Sequence, residues 1–268
     1  AAHAAGLWFG DKDFLRQVDP ATNQITLSVP FKDIGDAQAL TLDPKDGSLW
    51  ALAEKHLHKL DASGGALLKL SLKNLGVEGE AEHAALILNP YSQSIWLASG
   101  KTLLHLDTQG QLLGKVVFPG KNRAAALGLD EHLWVLGNKT LWRYSAQGVL
   151  LASQDLRSLV KEEPKHLVVD SLGGKLWLAG EKQLIQLNLN SPNQRLANLS
   201  LSESVDALAL DAQSGTLWLL MEDALMAYGR DGALVTTLNF KSLGIKDAKA
   251  LVFDPVSQSL WIGHKRGL

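Results

Sequence analysis

Short apolar runs alternate with turn residues along the whole chain. In one stretch Ala39-Leu40-Thr41-Leu42-Asp43, Ser48-Leu49-Trp50-Ala51-Leu52, Leu57-His58-Lys59-Leu60-Asp61 and Leu67-Leu68-Lys69-Leu70 follow one another. Each run is too short for a packed helix and reads as a strand. The first turn of the unit is Pro- or Gly-rich: Asp43-Pro44 through Gly47, Asn89-Pro90, Asp211 through Gly215, and Asp254-Pro255. The turn before the fourth run places Asp or Ser three residues ahead of Gly, at Asp61 to Gly64, Asp107 to Gly110 and Ser145 to Gly148. That spacing suits a type I turn, whose first side chain caps the turn amides.

The unit recurs. Leu-Trp or Ile-Trp pairs place Trp8, Trp50, Trp96, Trp134, Trp177, Trp218 and Trp261 at intervals of 38 to 46 residues, and only Trp142 falls elsewhere. Four antiparallel strands in ~40–45 residues is the spacing of a propeller blade. The pattern therefore predicts an all-β chain: a six-bladed β-propeller of four-stranded antiparallel blades, forming a single domain over residues 1–268. One sheet cannot bury both of its faces alone, so the recurrent Trp is expected between blades. First strands start near Ala39, Ala85, Ala126, His166, Ala207 and Ala250, whereas the Trp strand occurs seven times. The predicted closure joins the Ala250 to Asp254 strand to the N-terminal strands from Gly6 onward. Trp8 or Trp261 is then surplus, as an overhang or at an edge. A seven-bladed ring, or a fragment of a longer propeller protein, is the alternative. Only Leu75 to Glu82 and Leu159 to Glu163 suit a helical turn, and both lie in connections between units.

Composition narrows the partners. With 46% hydrophobic and 20% charged residues the chain is of ordinary globular type, and a net charge of -2 gives no general pull toward nucleic acid or an anionic membrane. No apolar run approaches the ~18 residues of a membrane helix, so no membrane insertion is expected. The absence of Cys excludes disulfides and thiolate catalysis. The small-residue start, Ala1-Ala2-His3-Ala4-Ala5-Gly6, fits a mature N-terminus after signal cleavage, so the expected compartment is secreted, periplasmic or cell surface.

The units Ala39 to Leu70 and Ala207 to Leu238 share Ala-Leu-x-Leu-Asp, a Gly or Gln turn, Leu-Trp, and then a late Gly turn. In this the chain resembles, over essentially its whole length, the broad NHL, YVTN and virginiamycin-B-lyase-like group of propellers. The resemblance implies the fold. That group includes enzymes, lipid or peptide receptors and interaction modules, so function has to be argued from a site.

In propellers, ligands usually meet the face built by the connections between blades and the loops joining second to third strands. Those loops carry Lys12, Lys55, Lys101, Lys139, Lys182 and Lys265, and only Glu222-Asp223 breaks the series. Arranged in a ring, the lysines form a circlet that attracts a carboxylate, a phosphate or an acidic protein surface. Just before the first strands stand Gln38, Ala84, Ala125, Lys165, Asp206 and Lys249. One Asp and one Gln against two lysines make a poor calcium cage, so no metal or other cofactor is expected. The leading expectation is a non-enzymatic binding or scaffold propeller, part of a larger secreted or surface protein. It takes a protein or small anionic ligand on the circlet together with Gln38, Lys165 and Lys249. The alternative, drawn from the resemblance, is a metal-assisted lyase or hydrolase of the lactonase or virginiamycin-B-lyase type acting at the channel mouth. It would use His83 and His166 with Glu82 and Asp206 as acids. No Gly-rich phosphate loop, Gly-x-Ser-x-Gly elbow or paired-His zinc motif is present.

Overall fold

The computed structural model describes residues 7–10, 14–19, 24–30, 37–53, 55–77, 84–243, 248–254 and 259–264. The chain opens with β1 (Leu7–Gly10), β2 (Phe14–Asp19) and β3 (Gln24–Pro30). A first blade follows, from β4 (Ala37–Leu42), β5 (Leu49–Ala53), β6 (His56–Leu60) and β7 (Ala66–Ser71). The second blade has β8 (Ala85–Asn89), β9 (Ser94–Ser99), β10 (Thr102–Asp107) and β11 (Leu112–Val117), and the third has β12 (Ala124–Leu127), β13 (Leu133–Leu136), β14 (Thr140–Tyr144) and β15 (Leu150–Asp155). The fourth comprises β16 (His166–Asp170), β17 (Lys175–Ala179), β18 (Gln183–Asn188) and β19 (Ser191–Ser200). The fifth comprises β20 (Val205–Asp211), β21 (Thr216–Met221), β22 (Ala224–Tyr228) and β23 (Leu234–Asn239), and is followed by a single 3-10 turn, Phe240–Leu243. The chain then runs through β24 (Ala248–Asp254) and β25 (Ser259–His264).

The turn chemistry acts as the sequence predicts. Asp61 Oδ1 accepts from the amides of Ser63 and Gly65 at 2.9 and 2.8 Å, and Gly64 N closes onto Asp61 O at 3.0 Å. Asp107 and Ser145 repeat the arrangement. In each hairpin the register then slips by one residue, between Lys59 and Leu60, His105 and Leu106, and Arg143 and Tyr144. This is a type I turn followed by a bulge whose glycine adopts the left-handed conformation. At Gly110 (φ 81°) glycine is required twice over, because a Cβ there would stand 2.4 Å from Leu70 of the preceding blade.

The core lies between blades. Trp50 packs with Leu86, Leu88 and Leu97 of the second blade, Trp96 with Leu133, Val135 and Tyr144 of the third, Trp134 with Leu167, Val169 and Leu176 of the fourth, and Trp177 with Leu217, Leu219 and Tyr228 of the fifth. Trp218 continues the series against Leu251, Leu260 and Ile262. Both sheet faces are thereby covered, which is why β5 is buried at all five positions rather than at alternate ones. The residue across from the indole on the third strand often covers its ring: the Lys59 amine lies 5.3 Å from Trp50, the Arg143 guanidinium 5.5 Å from Trp134, and His105 stacks on Trp96 at 3.9 Å.

The ring closes differently from the expectation. Among the described residues five sheets, not six, are four-stranded antiparallel blades. The remaining sheet has five strands in the order β24-β25-β1-β2-β3. Its middle pair is parallel, with Leu7 beside Leu260, Trp8 beside Trp261 and Phe9 beside Ile262. Neither Trp strand is an overhang or an edge: the sheet keeps both, side by side, because each carries the pattern that the position demands. The innermost strands β4, β8, β12, β16, β20 and β24 neighbour one another in that order, and β24 returns to β4 around a central axis.

Candidate functional site

The face carrying the lysines is built by a repeated main-chain clasp. The residue just after each fourth strand donates its amide to the carbonyl of the loop between second and third strands: Leu72 to Lys55 at 2.9 Å, Phe118 to Lys101 at 2.8 Å, Leu156 to Lys139 at 2.8 Å, Leu201 to Lys182 at 2.9 Å and Phe240 to Asp223 at 2.8 Å. Each donor's side chain is buried. The regular feature in the sequence is thus anchored through a carbonyl. Asp223 supplies that carbonyl as well as lysine does, so the break in the series leaves the fold intact. Lys55, Lys101 and Lys182 are exposed on this face and Lys139 is half-buried, whereas Lys12 and Lys265 lie outside the described residues.

Around the fourth blade several charged residues on this face are engaged with one another. Lys165 Nζ lies 3.0 Å from Glu181 Oε1, Arg123 lies 3.3 Å from Glu163, and the Lys182 amide donates to Glu162 at 3.3 Å. His166 opens β16 with its Nε2 2.8 Å from the carbonyl of Val205, which ties the fourth blade to the fifth. Asp206 is half-buried on β20, next to that carbonyl. Gln38 and Lys249 lie on β4 and β24, with only their backbone described; Glu82 and His83 lie outside the described residues. Among the described residues no three His, Asp or Glu side chains are grouped to hold a metal ion.

A cavity of about 370 Å³ lies on the axis. None of the described side chains that line it is a carboxylate, an amine or an imidazole. The walls are Leu, Ile, Val, Ala and Phe, and Thr41, one of its hydroxyl residues, spends its Oγ1 on the amide of Leu88 at 3.2 Å. The innermost strands also present their outer backbone edges to the axis, so the lining combines apolar side chains with peptide groups that need partners. One position recurs in the lining on all six innermost strands. Leu40, Leu86, Ala125, Leu167, Leu208 and Leu251 are equivalent, each pairing with the residue after the Trp, and all six line the cavity. Five of the six are leucine, and Ala125, the smallest, is the one gap in that series. The cavity reaches the face opposite the lysines, where Tyr91 (63% exposed) and Leu129 (47% exposed) stand at its lip.

Sequence reasoning selected neither the lip nor the gap. Both were visible only as departures from the repeat, with Ala125 where each of the other five units carries Leu, and Tyr91 and Leu129 in first turns.

A scan against protein-family models finds no match. A search of curated proteins likewise finds none. Solved structures do match, 1228 chains in all. One is the crystal structure, at 1.35 Å, of a protein of unknown function from Bacteroides caccae, with 15% identity over 96% of this chain and 98% of that one and a TM-score of 0.66. At that identity the likeness concerns the propeller fold alone. No helix among the described residues is long and apolar enough to cross a membrane.

Proposed function

We propose that this chain is a non-enzymatic binding propeller that holds a neutral small molecule with an apolar body in its axial cavity. The observation that carries this reading is the 370 Å³ cavity lined by described side chains without a single carboxylate, amine or imidazole. The volume suits a small organic ligand. Strand edges offer hydrogen bonds to a hydroxyl or carbonyl, but no described lining group compensates a buried ion, and burying an unpaired carboxylate costs several kcal/mol. The described lining offers no carboxylate, imidazole or amine to act as general acid or base, and its hydroxyls, Thr41 and Tyr91, have no such group beside them in the lining, which favours binding over the lyase or hydrolase reading.

The test compares 1-decanol with decanoate at pH 8 as competitors of Nile red, in the parent protein and in Ala125→Leu. That substitution restores the repeat's own residue, so it narrows the cavity without a foreign shape. Saturable dye binding, displacement by decanol at least ~100-fold better than by decanoate, and at least ~10-fold weaker binding in Ala125→Leu are expected. Equal competition by decanoate, or indifference to Ala125→Leu, defeats the proposal. Turnover of lactones or esters that disappears in His166→Ala would instead support the enzymatic alternative.

A further inference from the structure

The two strands at the centre of the closing sheet are copies of one another. Leu7-Trp8-Phe9-Gly10-Asp11-Lys12 and Leu260-Trp261-Ile262-Gly263-His264-Lys265 agree at four of six positions. They also share a spacing that no other unit has. Trp precedes Lys by four residues in both, and by five at Trp50, Trp96, Trp134 and Trp177. In the five regular blades a single Trp strand joins the first strand to the third. In the closing sheet the same junction holds two, lying parallel and in matching register, Trp8 beside Trp261.

Each copy already makes one of the two pairings that a regular blade needs. β25 pairs antiparallel with the first strand β24, placing Trp261 opposite Val252. β1 pairs antiparallel with the third strand β2, placing Trp8 opposite Gln17. The missing pairings are β1 with β24 and β25 with β2, and the shared Leu-Trp-x-Gly pattern supplies the same register for both. From this juxtaposition we infer that β1 and β25 are interchangeable occupants of one slot, so the ring can be closed by either strand as a four-stranded blade. The parallel pairing between them is then the joint at which the ring opens, since it is the one adjacency in the sheet that no other blade uses.

Proline removes a ladder donor and disrupts a central strand, so it knocks out one copy at a time. Trp8→Pro, Trp261→Pro and the double variant are compared by thermal unfolding, with Trp50→Pro marking the loss where a blade has only one Trp strand. If the copies substitute for one another, each single variant loses less than a third of the midpoint shift of the double variant, and the double variant loses about as much as Trp50→Pro. Hydrogen exchange gives a second readout: in Trp261→Pro the amides of residues 7–10 stay protected, and in Trp8→Pro those of 260–263 do. The inference is overturned if the single losses add up to the double loss, if either single variant unfolds as fully as the double, or if the double variant is undisturbed.

Discussion

His58 gives this propeller an acid-sensitive seam between blades. It sits on β6 at 7% exposure, opposite Ala51 on one neighbouring strand and Lys69 on the other, with the His56 ring 6.0 Å away. Burial, followed by the charges of Lys69 and His56, pushes its pKa down from 6.5 to about 4. In the unfolded chain the imidazole titrates near ~6.5. A histidine whose folded pKa is depressed binds protons more readily when unfolded. Its contribution is therefore intact above ~6.5, declines as the pH falls, and is fully lost below about 4. At ~1.4 kcal/mol per pH unit the full loss is ~3 kcal/mol, of which about 2 kcal/mol has gone by pH 5. With an unfolding entropy of ~2.1 cal/mol/K per residue, that corresponds to ~3–4 °C in Tm for a chain of this size. His105, also depressed by burial against Trp96, adds to the total. The perturbation that isolates His58 is His58→Leu. Leu104 and Ile185 occupy the same strand position in the second and fourth blades and are fully buried or nearly so. Urea unfolding of both proteins at pH 8 and pH 5 should show that His58→Leu removes about 2 kcal/mol of the acid destabilisation while leaving the remainder. A parent and a variant that lose equal stability between the two pH values would refute the reasoning, because the seam would then hold the imidazolium at no cost.

Two further outcomes follow from other parts of the ring. Arg230, in the turn before β23, reaches across to the fully buried Asp170 with Nε 2.7 Å from Oδ2, and its own carbonyl accepts from Lys175 and Gln186. Arg230→Met should cost about 2–3 kcal/mol in urea unfolding, below the ~3–5 kcal/mol of a fully buried pair because Arg230 is a third exposed; adding Asp170→Asn should return part of it. We also propose that the lysines of the loop face attract acidic ligands. In that case heparin binding at low salt should weaken at least ~10-fold in Lys55→Gln/Lys101→Gln/Lys182→Gln and vanish in high salt, and salt-independent or absent binding removes the idea.

The repeat was legible because each of its parts has a local cause. Asp61, Asp107 and Ser145 cap their turns within two to four residues, and Trp50 to Trp177 recur because every blade must cover its neighbour. What escaped depends on comparing blades across the ring. Closure was misread because Leu7-Trp8 and Leu260-Trp261 satisfy the same pattern equally well, and pattern alone cannot say that a sheet keeps both. The lysine series drew attention to side chains when the shared element is a carbonyl, and its partners, Leu72, Phe118, Leu156, Leu201 and Phe240, looked like ordinary strand endings. The cavity was hidden because first strands are apolar on both faces. Ala125 becomes informative only once Leu40, Leu86, Leu167, Leu208 and Leu251 are known to ring the same axis.

The clasp beneath the loop face frees its surface chemistry from its architecture. Since a main-chain amide and a main-chain carbonyl hold each tip, residues at positions 55, 101, 139, 182 and 223 can drift in evolution, or be randomised in a library, with little penalty to the scaffold. New specificities could be grafted there while the indole-wedged frame below stays unchanged.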